Sequence, residues 1–221
     1  MSRIEGRLRE VSGYAKGEAA RLRILEAAMS AFGDGGFKGA TTRQIAQSAG
    51  VNLPALKYYF GGKEGLYLAC AEEIVERYRT RMVDPILQAQ AMLEARHTAQ
   101  EAKAALKIVV RALAEQMVET REAEAWAGFV LREMADPGPA FAILYEQVWQ
   151  PGLNIVGYMI GLAGTLKPKA ALIEALLLIS SLSAFGASRP VSLKSLGWED
   201  VSGERFARVM ANLDRRIDEL G

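Results

Sequence analysis

The chain has 221 residues, of which 50% are hydrophobic and 24% are charged, and this composition is typical of a soluble globular protein. Its net charge of +1 excludes the strongly basic class of nucleic-acid-binding proteins, and its single cysteine, Cys70, excludes an intramolecular disulfide. The charge is uneven, because residues 1–66 carry ten Lys and Arg against six Asp and Glu, whereas residues 67–221 carry seventeen against twenty. This basic N-terminal part favours a protein that presents one end to phosphates.

The first predicted helix lies near the N-terminus. Residues 1–16 are polar, and we expect them to form a flexible segment. Ile24, Ala28 and Phe32 recur at helical spacing and predict a helix from about Gly17 to Gly33. The glycines at 35 and 36 are expected to end it, because glycine is the preferred residue just after a helix.

Two short helices with a tight turn between them are predicted next. Thr41 is a good N-cap, and Gln44 stands three residues later, where its amide can bond back to the cap, so the pair forms a capping-box pattern. Gly50 supplies the turn. Asn52 is a strong N-cap for the second helix, and Pro54 falls in its first turn, where a missing N–H group is harmless.

The second of these helices has a buried face and an outward face. Leu56 and Phe60 are four residues apart and therefore share the predicted buried side. The residues left facing outward on this helix are Leu53, Ala55, Lys57, Tyr58 and Tyr59. This arrangement is that of a helix-turn-helix, whose second helix lies in the DNA major groove.

The stretches ATTRQIA (40–46), LKYYF (56–60) and KEGL (63–66), with the preceding helix, resemble the DNA-binding domain of the TetR family of bacterial one-component transcription regulators. The resemblance implies an all-α fold. It would comprise a helix-turn-helix head over residues 17–66 and a larger helical regulatory and dimerisation domain over residues 67–221. Lys57 departs from the family pattern, which usually has an aromatic residue there, so its phosphate contact should differ.

The resemblance also implies a set of DNA contacts. Lys63 begins the fourth helix, beside backbone N–H groups that attract anions, so we expect it to bind a phosphate; the alternative is a solvated lysine. Tyr58 and Tyr59 are adjacent, so at least one faces outward, where a phenol can donate to a phosphate or pack on a sugar; the alternative is that one of them, more readily Tyr59, merely covers the core. The predicted DNA-binding residues are Thr41, Thr42, Arg43, Asn52, Leu53, Pro54, Ala55, Lys57, Tyr58, Tyr59 and Lys63.

The remainder of the chain is rich in Ala, Leu and Glu at helical spacing, and no stretch alternates as a strand would. The fourth helix is expected to run from Lys63 to about Arg81. Further helices are predicted near residues 85–95, 99–119, 122–135, 138–163, 168–187 and 203–219.

A second, more local resemblance lies within this region. Phe129–Met134 (FVLREM), Pro137, Ala140–Phe141 and Glu146–Pro151 are similar to the C-terminal domain of the CecR (YbiH-like) branch of the same family. That branch is linked to efflux and drug sensitivity. The likeness alone does not identify a ligand.

Methionine and aromatic residues recur in the predicted helices after residue 85. At helical spacing such residues are usually core, but they also line the apolar effector cavities of the TetR family. The family therefore implies a small apolar or amphipathic effector. The predicted ligand-binding residues are Met117, Trp126, Phe129, Glu133 and Tyr145.

Residues 170–188 form a segment that is apolar around most of a helix circumference, so it must bury more than one face. We interpret it as part of a homodimer interface, which the family builds from two late helices. The alternative is a central helix of a monomer. The predicted interface residues are Leu176, Ile179, Leu182 and Phe185.

The sequence offers no pattern for catalysis, a metal or a cofactor. His97 is the only histidine, so its E-x-x-H pattern with Glu94 lacks the second motif that a di-metal site needs, and an exposed helix-end histidine is expected. No nucleophile elbow, Walker loop or Rossmann fingerprint occurs. We therefore expect no catalytic residues, no metal, no cofactor and no enzymatic activity.

Membrane insertion is also not expected. Residues 147–166 lack a formal charge, but glutamines, a proline and glycines interrupt them, which favours a buried helix. The N-terminus has no apolar signal-peptide core, and one cysteine fits a reducing cytoplasm.

We therefore expect a cytoplasmic, ligand-responsive repressor that binds palindromic double-stranded operator DNA as a homodimer. The alternatives are a constitutive DNA-binding dimer without effector, and a helical binding or enzymatic domain that retains a helix-turn-helix.

Overall fold

The structure, a computed structural model, describes residues 3–95, 98–119 and 122–220, and every regular element in these ranges is helical. The predicted all-α fold is thereby confirmed, while His97 lies outside the described residues. The helices are α1 (Arg3–Gly39), α2 (Thr42–Ser48), α3 (Leu53–Phe60), α4 (Lys63–Ala95), α5 (Ala99–Ala114), α6 (Glu122–Ala135), α7 (Phe141–Leu144), α8 (Gln150–Gly164), α9 (Pro168–Leu182), α10 (Arg189–Leu196) and α11 (Gly203–Asp218), with π-helical segments at Glu115–Glu119 and Tyr145–Trp149.

Helix α1 starts earlier than predicted, at Arg3 rather than near Gly17. Its regular geometry is interrupted at Gly36, which has a φ of 68°. Residues with a side chain rarely adopt this left-handed conformation, so glycine is required at the break. The expected end of the first regular helix at the glycine pair is therefore close to the observed break.

Helix α4 is longer than predicted: it passes through Pro85 and continues to Ala95, where a separate helix over residues 85–95 was expected. Proline inside a helix costs about 3 kcal/mol relative to alanine. Met82, Ala89 and Leu93 lie on both sides of Pro85 and are all buried in one hydrophobic cluster. Tertiary burial of this continuous apolar face outweighs the local cost, which sequence spacing did not reveal.

Two other predicted helices are divided. The segment predicted as one helix over 138–163 contains α7, a π-helical segment and α8. The segment predicted over 168–187 ends as α9 at Leu182 and is followed by tight turns, in which Ser183, Ala184 and Phe185 donate to carbonyls three residues earlier. Helix α10 follows these turns and was not predicted.

The chain forms two compact units. The first contains Met1–Ile74 and Ala125–Ile143, and the second contains Val75–Glu124 and Leu144–Gly221. The unit with the predicted head thus also includes Ala125–Ile143, which the sequence analysis assigned to the regulatory domain.

Each unit has its own apolar core. In the first unit, Ile24, Phe32, Ile45, Leu56 and Tyr67 are at most 1% exposed. In the second unit, α5, α8, α9 and α11 bury one continuous cluster. Helices α8 and α9 approach closely at Gly157, where a Cβ atom would lie 3.6 Å from the Cα of Leu172.

Among the described residues, no helix combines the length and hydropathy needed to span a membrane.

Candidate nucleic-acid interface

The predicted capping box at the start of α2 is present. The Gln44 backbone N–H donates to the Thr41 hydroxyl oxygen at 3.2 Å, and the Thr41 backbone N–H donates to Gln44 Oε1 at 3.2 Å. These two bonds satisfy N–H groups that a helix start leaves without partners. They set where α2 begins.

The turn between α2 and α3 also follows the prediction. Gly50 has a φ of 66°, and the Val51 N–H donates to the Ala46 carbonyl at 3.0 Å. Asn52 then caps α3, because its Oδ1 accepts from the Ala55 N–H at 2.9 Å. Pro54 lies in the first turn of α3. Local hydrogen bonds therefore define both the turn and the start of the second helix.

Helix α3 packs one face inward and exposes the other. Leu56 is 1% exposed and Phe60 is 9% exposed, which confirms the predicted buried face. On the opposite face Leu53 is 47% exposed and Tyr58 is 84% exposed. An exposed helix face of this kind is free to enter a groove of DNA.

The predicted DNA-binding residues differ in how much surface they offer. Thr41 and Asn52 are exposed, but their side chains are engaged in the caps of α2 and α3. Thr42, Ala55, Tyr59 and Lys63 are half-buried. The remaining predicted residues are exposed, namely Arg43, Leu53, Pro54, Lys57 and Tyr58.

The two adjacent tyrosines have different environments. Tyr58 points to solvent, whereas Tyr59 is half-buried and its hydroxyl lies 3.3 Å from the place where a Cβ atom on Gly17 would stand. Tyr59 thus covers the side of α1, as the sequence analysis anticipated for one of the pair. Tyr58 is the tyrosine available for an external contact.

Lys63 occupies the first position of α4 and is held by two contacts. Its ammonium lies 5.0 Å from the centroid of the Phe37 ring and donates to the Lys38 carbonyl at 3.4 Å. The N-terminus of α4 adds backbone N–H groups and the positive end of the helix dipole. This end of the head therefore combines a positioned cation with features that attract an anion.

Two predicted ligand residues, Phe129 and Glu133, are packed within the first unit. Phe129 is 0% exposed, with its ring centroid 4.7 Å from that of Tyr67. Glu133 is 1% exposed and accepts from the Tyr67 hydroxyl at 2.5 Å and from the Gly138 N–H at 3.1 Å. Both side chains are engaged by neighbouring residues of the first unit in this structure, and their contact with a ligand stays a prediction.

The other predicted ligand residues lie elsewhere. Trp126 is half-buried in the first unit. Met117 and Tyr145 belong to the second unit, each in one of the π-helical segments; Met117 is half-buried and Tyr145 is 40% exposed. None of the five residues lines the groove of about 720 Å³ along α1 and α2, or the groove of about 370 Å³ beside Phe185 and Trp198.

The predicted dimer residues also separate into two groups. Leu182 is 1% exposed within a single chain, so its side chain offers almost no surface to a partner in this structure. Ile179 is half-buried, and Phe185 stacks on Trp198 at 6.2 Å. Leu176 is 45% exposed and shares the open side of α9 with three further apolar residues, Leu172, Ile173 and Leu177.

Sequence reasoning missed the residues that hold α6 against the head. Arg132 donates from Nε to the Gly33 carbonyl at 3.2 Å and from Nη2 to the Asp34 carbonyl at 2.7 Å. A Cβ atom on Gly33 would lie 3.1 Å from the Phe129 backbone nitrogen, so glycine permits this close crossing. The FVLREM motif was the available signal, but its partners lie far away in sequence.

No metal centre accompanies these features: in the parts of the chain that the structure describes, no group of three His, Cys, Asp or Glu residues could hold an ion. Burial raises the pKa of the Cys70 thiol, so this cysteine remains a protonated core residue. The exposed face of α3 and the cation at the start of α4 are thus the site that the first unit offers, and they define a helix-turn-helix protein.

Comparison with known families agrees with this class. Residues 24–70 match the family described as bacterial regulatory proteins, tetR family, and residues 102–219 match the C-terminal domain of the HTH-type transcriptional dual regulator CecR. The chain belongs to the TetR family of bacterial regulatory proteins, with a C-terminal domain of the CecR type.

Two curated relatives illustrate the extent of the similarity. CecR of Shigella flexneri is 33% identical over 139 residues, which cover 62% of this chain and 60% of CecR. The probable regulator YttP of Bacillus subtilis is 43% identical over 56 residues, which cover 25% of this chain and 27% of YttP. The chain thus matches less than two thirds of the length of either relative. Both relatives are named as HTH-type transcriptional regulators.

Solved structures share the fold at low sequence identity. AibR, determined in complex with isovaleryl coenzyme A and operator DNA, has a TM-score of 0.62 at 13% identity, covering 89% of this chain and 97% of AibR. The fatty acid degradation regulator FadR from Bacillus halodurans has a TM-score of 0.57 at 18% identity, covering 89% of this chain and 97% of FadR.

Proposed function

We propose that this regulator binds palindromic operator DNA as a homodimer and acts as a repressor that a small molecule releases. The observation that carries the proposal is the capped helix-turn-helix, whose α3 exposes Leu53, Lys57 and Tyr58 while Lys63 stands at the start of α4. Phosphate contacts from such cations position a protein, and the exposed face of α3 is available to read bases. Because its target is DNA, we propose that it acts in the cytoplasm.

The homodimer is supported by the open face of α9. Leu172, Ile173, Leu176 and Leu177 are 37–55% exposed and follow one another along this helix. Contiguous apolar surface of this kind marks an interaction site. A two-fold dimer would cover the face and place two heads on two half-sites of inverted sequence.

The small-molecule effector is supported by the family and by the second unit. AibR, which shares the fold, was determined with an acyl coenzyme A. Met117 and Tyr145 lie in π-helical segments, which occur frequently at functional sites. We therefore propose an apolar or amphipathic effector near one of these segments.

A second candidate, a constitutive DNA-binding dimer, is favoured by one observation. Phe129 and Glu133, where an effector was expected to bind, are 0% and 1% exposed, and Glu133 accepts a hydrogen bond from Tyr67. The two candidates differ only in whether a ligand changes DNA affinity.

One experiment tests the proposal as a whole. The full chain is mixed with a random duplex DNA pool, bound DNA is enriched through several rounds, and the bound species are sequenced. We expect an inverted repeat, with two chains bound per site by light scattering. Enrichment of no sequence, or of a single half-site by one chain, would overturn the proposed operator and dimer. Screening metabolites and drugs for loss of binding to the enriched DNA then separates a repressor from a constitutive dimer.

A further inference from the structure

A buried carboxylate on α6 stands at one end of a chain of contacts that reaches Lys63. Glu133 is 1% exposed, and both of its oxygens accept hydrogen bonds, Oε1 from the Tyr67 hydroxyl at 2.5 Å and Oε2 from the Gly138 N–H at 3.1 Å. A buried group with two partners is strongly held, because moving it leaves unsatisfied polar atoms away from water. Glu133 therefore fixes the position of the Tyr67 hydroxyl.

Tyr67 transmits this position to the segment after the break in α1. Its ring meets Phe37 edge to face, with centroids 5.0 Å apart and an interplanar angle of 75°. It also meets Phe32 edge to face at 4.7 Å. Tyr67 and Lys63 are four residues apart on α4, so they lie on the same side of this helix.

Phe37 in turn carries Lys63. The lysine ammonium lies over the Phe37 ring at 5.0 Å and donates to the carbonyl of the next residue, Lys38, at 3.4 Å. The half-buried lysine is thus supported by the same ring that contacts Tyr67. We therefore expect a shift of Phe37 to move the Lys63 ammonium, and with it the distance from that ammonium to a bound phosphate.

Helix α6 is also hydrogen-bonded to α1 just before the break at Gly36. Arg132 binds the carbonyls of Gly33 and Asp34, and its Cδ lies 3.1 Å from where a Cβ atom on Gly36 would stand. The break at Gly36 is therefore covered by Arg132 on one side and followed by Phe37 on the other. Neighbouring residues of α6 thus support both flanks of this break.

We propose that Glu133 is a positioning residue for DNA binding, which acts through Tyr67 and Phe37 to set where the Lys63 ammonium stands. The inference rests on the proposed function, in which Lys63 contacts a DNA phosphate. It assigns to a buried acid of α6 a role in the affinity of the head for any DNA sequence, because phosphate contacts carry no base information.

A double-mutant cycle on the full chain tests this role. Four proteins are titrated on operator and random-sequence duplexes over a salt series: wild type, Glu133→Gln, Lys63→Ala and the double variant. A stoichiometric titration gives the active fraction of each protein. Glutamine keeps the shape of Glu133, and its carbonyl oxygen can still accept from the Gly138 N–H, but its amide then faces the Tyr67 phenol, so the charge-assisted bond from that hydroxyl is replaced by a weaker neutral one. We expect Glu133→Gln to lower affinity by on the order of 2- to 30-fold, the range seen for residues that act through a contact network.

The cycle distinguishes positioning from general loosening. If Glu133 acts through Lys63, Glu133→Gln should change DNA affinity little in the Lys63→Ala background. The dependence of affinity on salt for the single variant Glu133→Gln should then approach that of Lys63→Ala. Asp136→Asn is the matched control, because it removes the same charge from an exposed position on the adjoining segment. Its effect on affinity measures the electrostatic gain that Glu133→Gln also experiences.

Two further outcomes decide the question. If Glu133→Gln does not fold, Tyr67→Phe enters the cycle in its place, since it removes the hydroxyl and keeps the ring on Phe37. Additive losses with an unchanged salt slope overturn the inference and leave the Lys63 contact standing. If Lys63→Ala by itself leaves affinity and slope unchanged, the Lys63 contact of the proposed function fails, and this inference fails with it.

Discussion

The phenol of Tyr67 donates a 2.5 Å hydrogen bond to the carboxylate of Glu133, 66 positions later in the chain. Both side chains are 1% exposed, so water does not replace either partner. Burial, and then the hydrogen bond and charge of Glu133, raise the pKa of Tyr67 above its ordinary value, so the phenol keeps the proton that it donates. The pair joins α4 to α6 inside the first unit.

Loss of this bond should lower stability. Tyr67→Phe leaves a buried carboxylate oxygen without its donor, and hydrogen bonds to charged groups contribute about 1.5–3 kcal/mol. We expect a fall of that size in the free energy of unfolding by urea titration. Tyr58→Phe is the control, because Tyr58 is 84% exposed. Equal stability of Tyr67→Phe and wild type would show that the bond contributes nothing net.

Lys63 should act on all DNA sequences alike. Lys63→Ala is expected to lower the affinity for operator and for random DNA by similar factors. It should also reduce the slope of log affinity against log salt by roughly one unit. Fluorescence anisotropy over a salt series measures both. Lys169→Ala removes an exposed lysine in the second unit and should change neither. A loss confined to the operator, with an unchanged slope, would contradict a phosphate contact.

The open face of α9 should mediate dimerisation. Leu176→Glu places a charge on an apolar side chain that is 45% exposed, so we expect monomers by light scattering with the fold retained by circular dichroism. Leu182→Ala is the contrasting variant: Leu182 is buried within the protomer, so it should lose about 2–5 kcal/mol of stability and remain dimeric. A Leu176→Glu dimer of wild-type affinity would move the interface elsewhere.

Effector and DNA should compete in a reciprocal manner. A ligand bound beside Trp149, or shifting Trp126, should change tryptophan emission, and operator DNA should weaken ligand binding by the factor by which ligand weakens DNA binding. A coupling of about 1–3 kcal/mol corresponds to roughly 5–150-fold. Met117→Ala should lower the affinity for the ligand and leave the affinity for DNA in the absence of ligand unchanged. If no compound of a broad panel changes the emission or the DNA affinity, the protein is a constitutive DNA-binding dimer.

Stability should fall in alkali. Burial raises the pKa of Tyr78 from its ordinary value of 10.0 to about 12. It also raises the pKa of Cys70 above its ordinary value of 9.0 and the pKa of Tyr67 above 10.0. Above these ordinary values the unfolded chain releases protons that the native chain keeps, so the unfolding free energy decreases as pH rises. Their contribution is complete below about pH 8 and declines toward pH 10 and beyond.

Urea midpoints at pH about 8 and about 10 measure this decline. Cys70→Ala removes one of the three groups and should reduce the difference between the two midpoints. Identical urea midpoints for the wild type at both pH values would contradict the raised pKa values of these three groups.

The head was predictable because its signals are local. The caps by Thr41 and Asn52 and the turn at Gly50 each depend on residues at most a few positions apart, and all three are present. The start of α1 and the passage of α4 through Pro85 were not predicted. At Pro85, burial of Met82, Ala89 and Leu93 in one cluster overrides local propensity.

The all-α class and the helix-turn-helix followed from the sequence, since helical periodicity and capping act within a few residues, and the resemblance of the head's motifs indicated the family. Packing between helices then sets which residues of an apolar helix face inward. Leu176 and Leu182 belong to one apolar segment, yet one is 45% exposed and the other 1%. A helix apolar around its circumference has no preferred side until its neighbours pack, and the same holds for Glu133, whose partner Tyr67 is supplied by another helix.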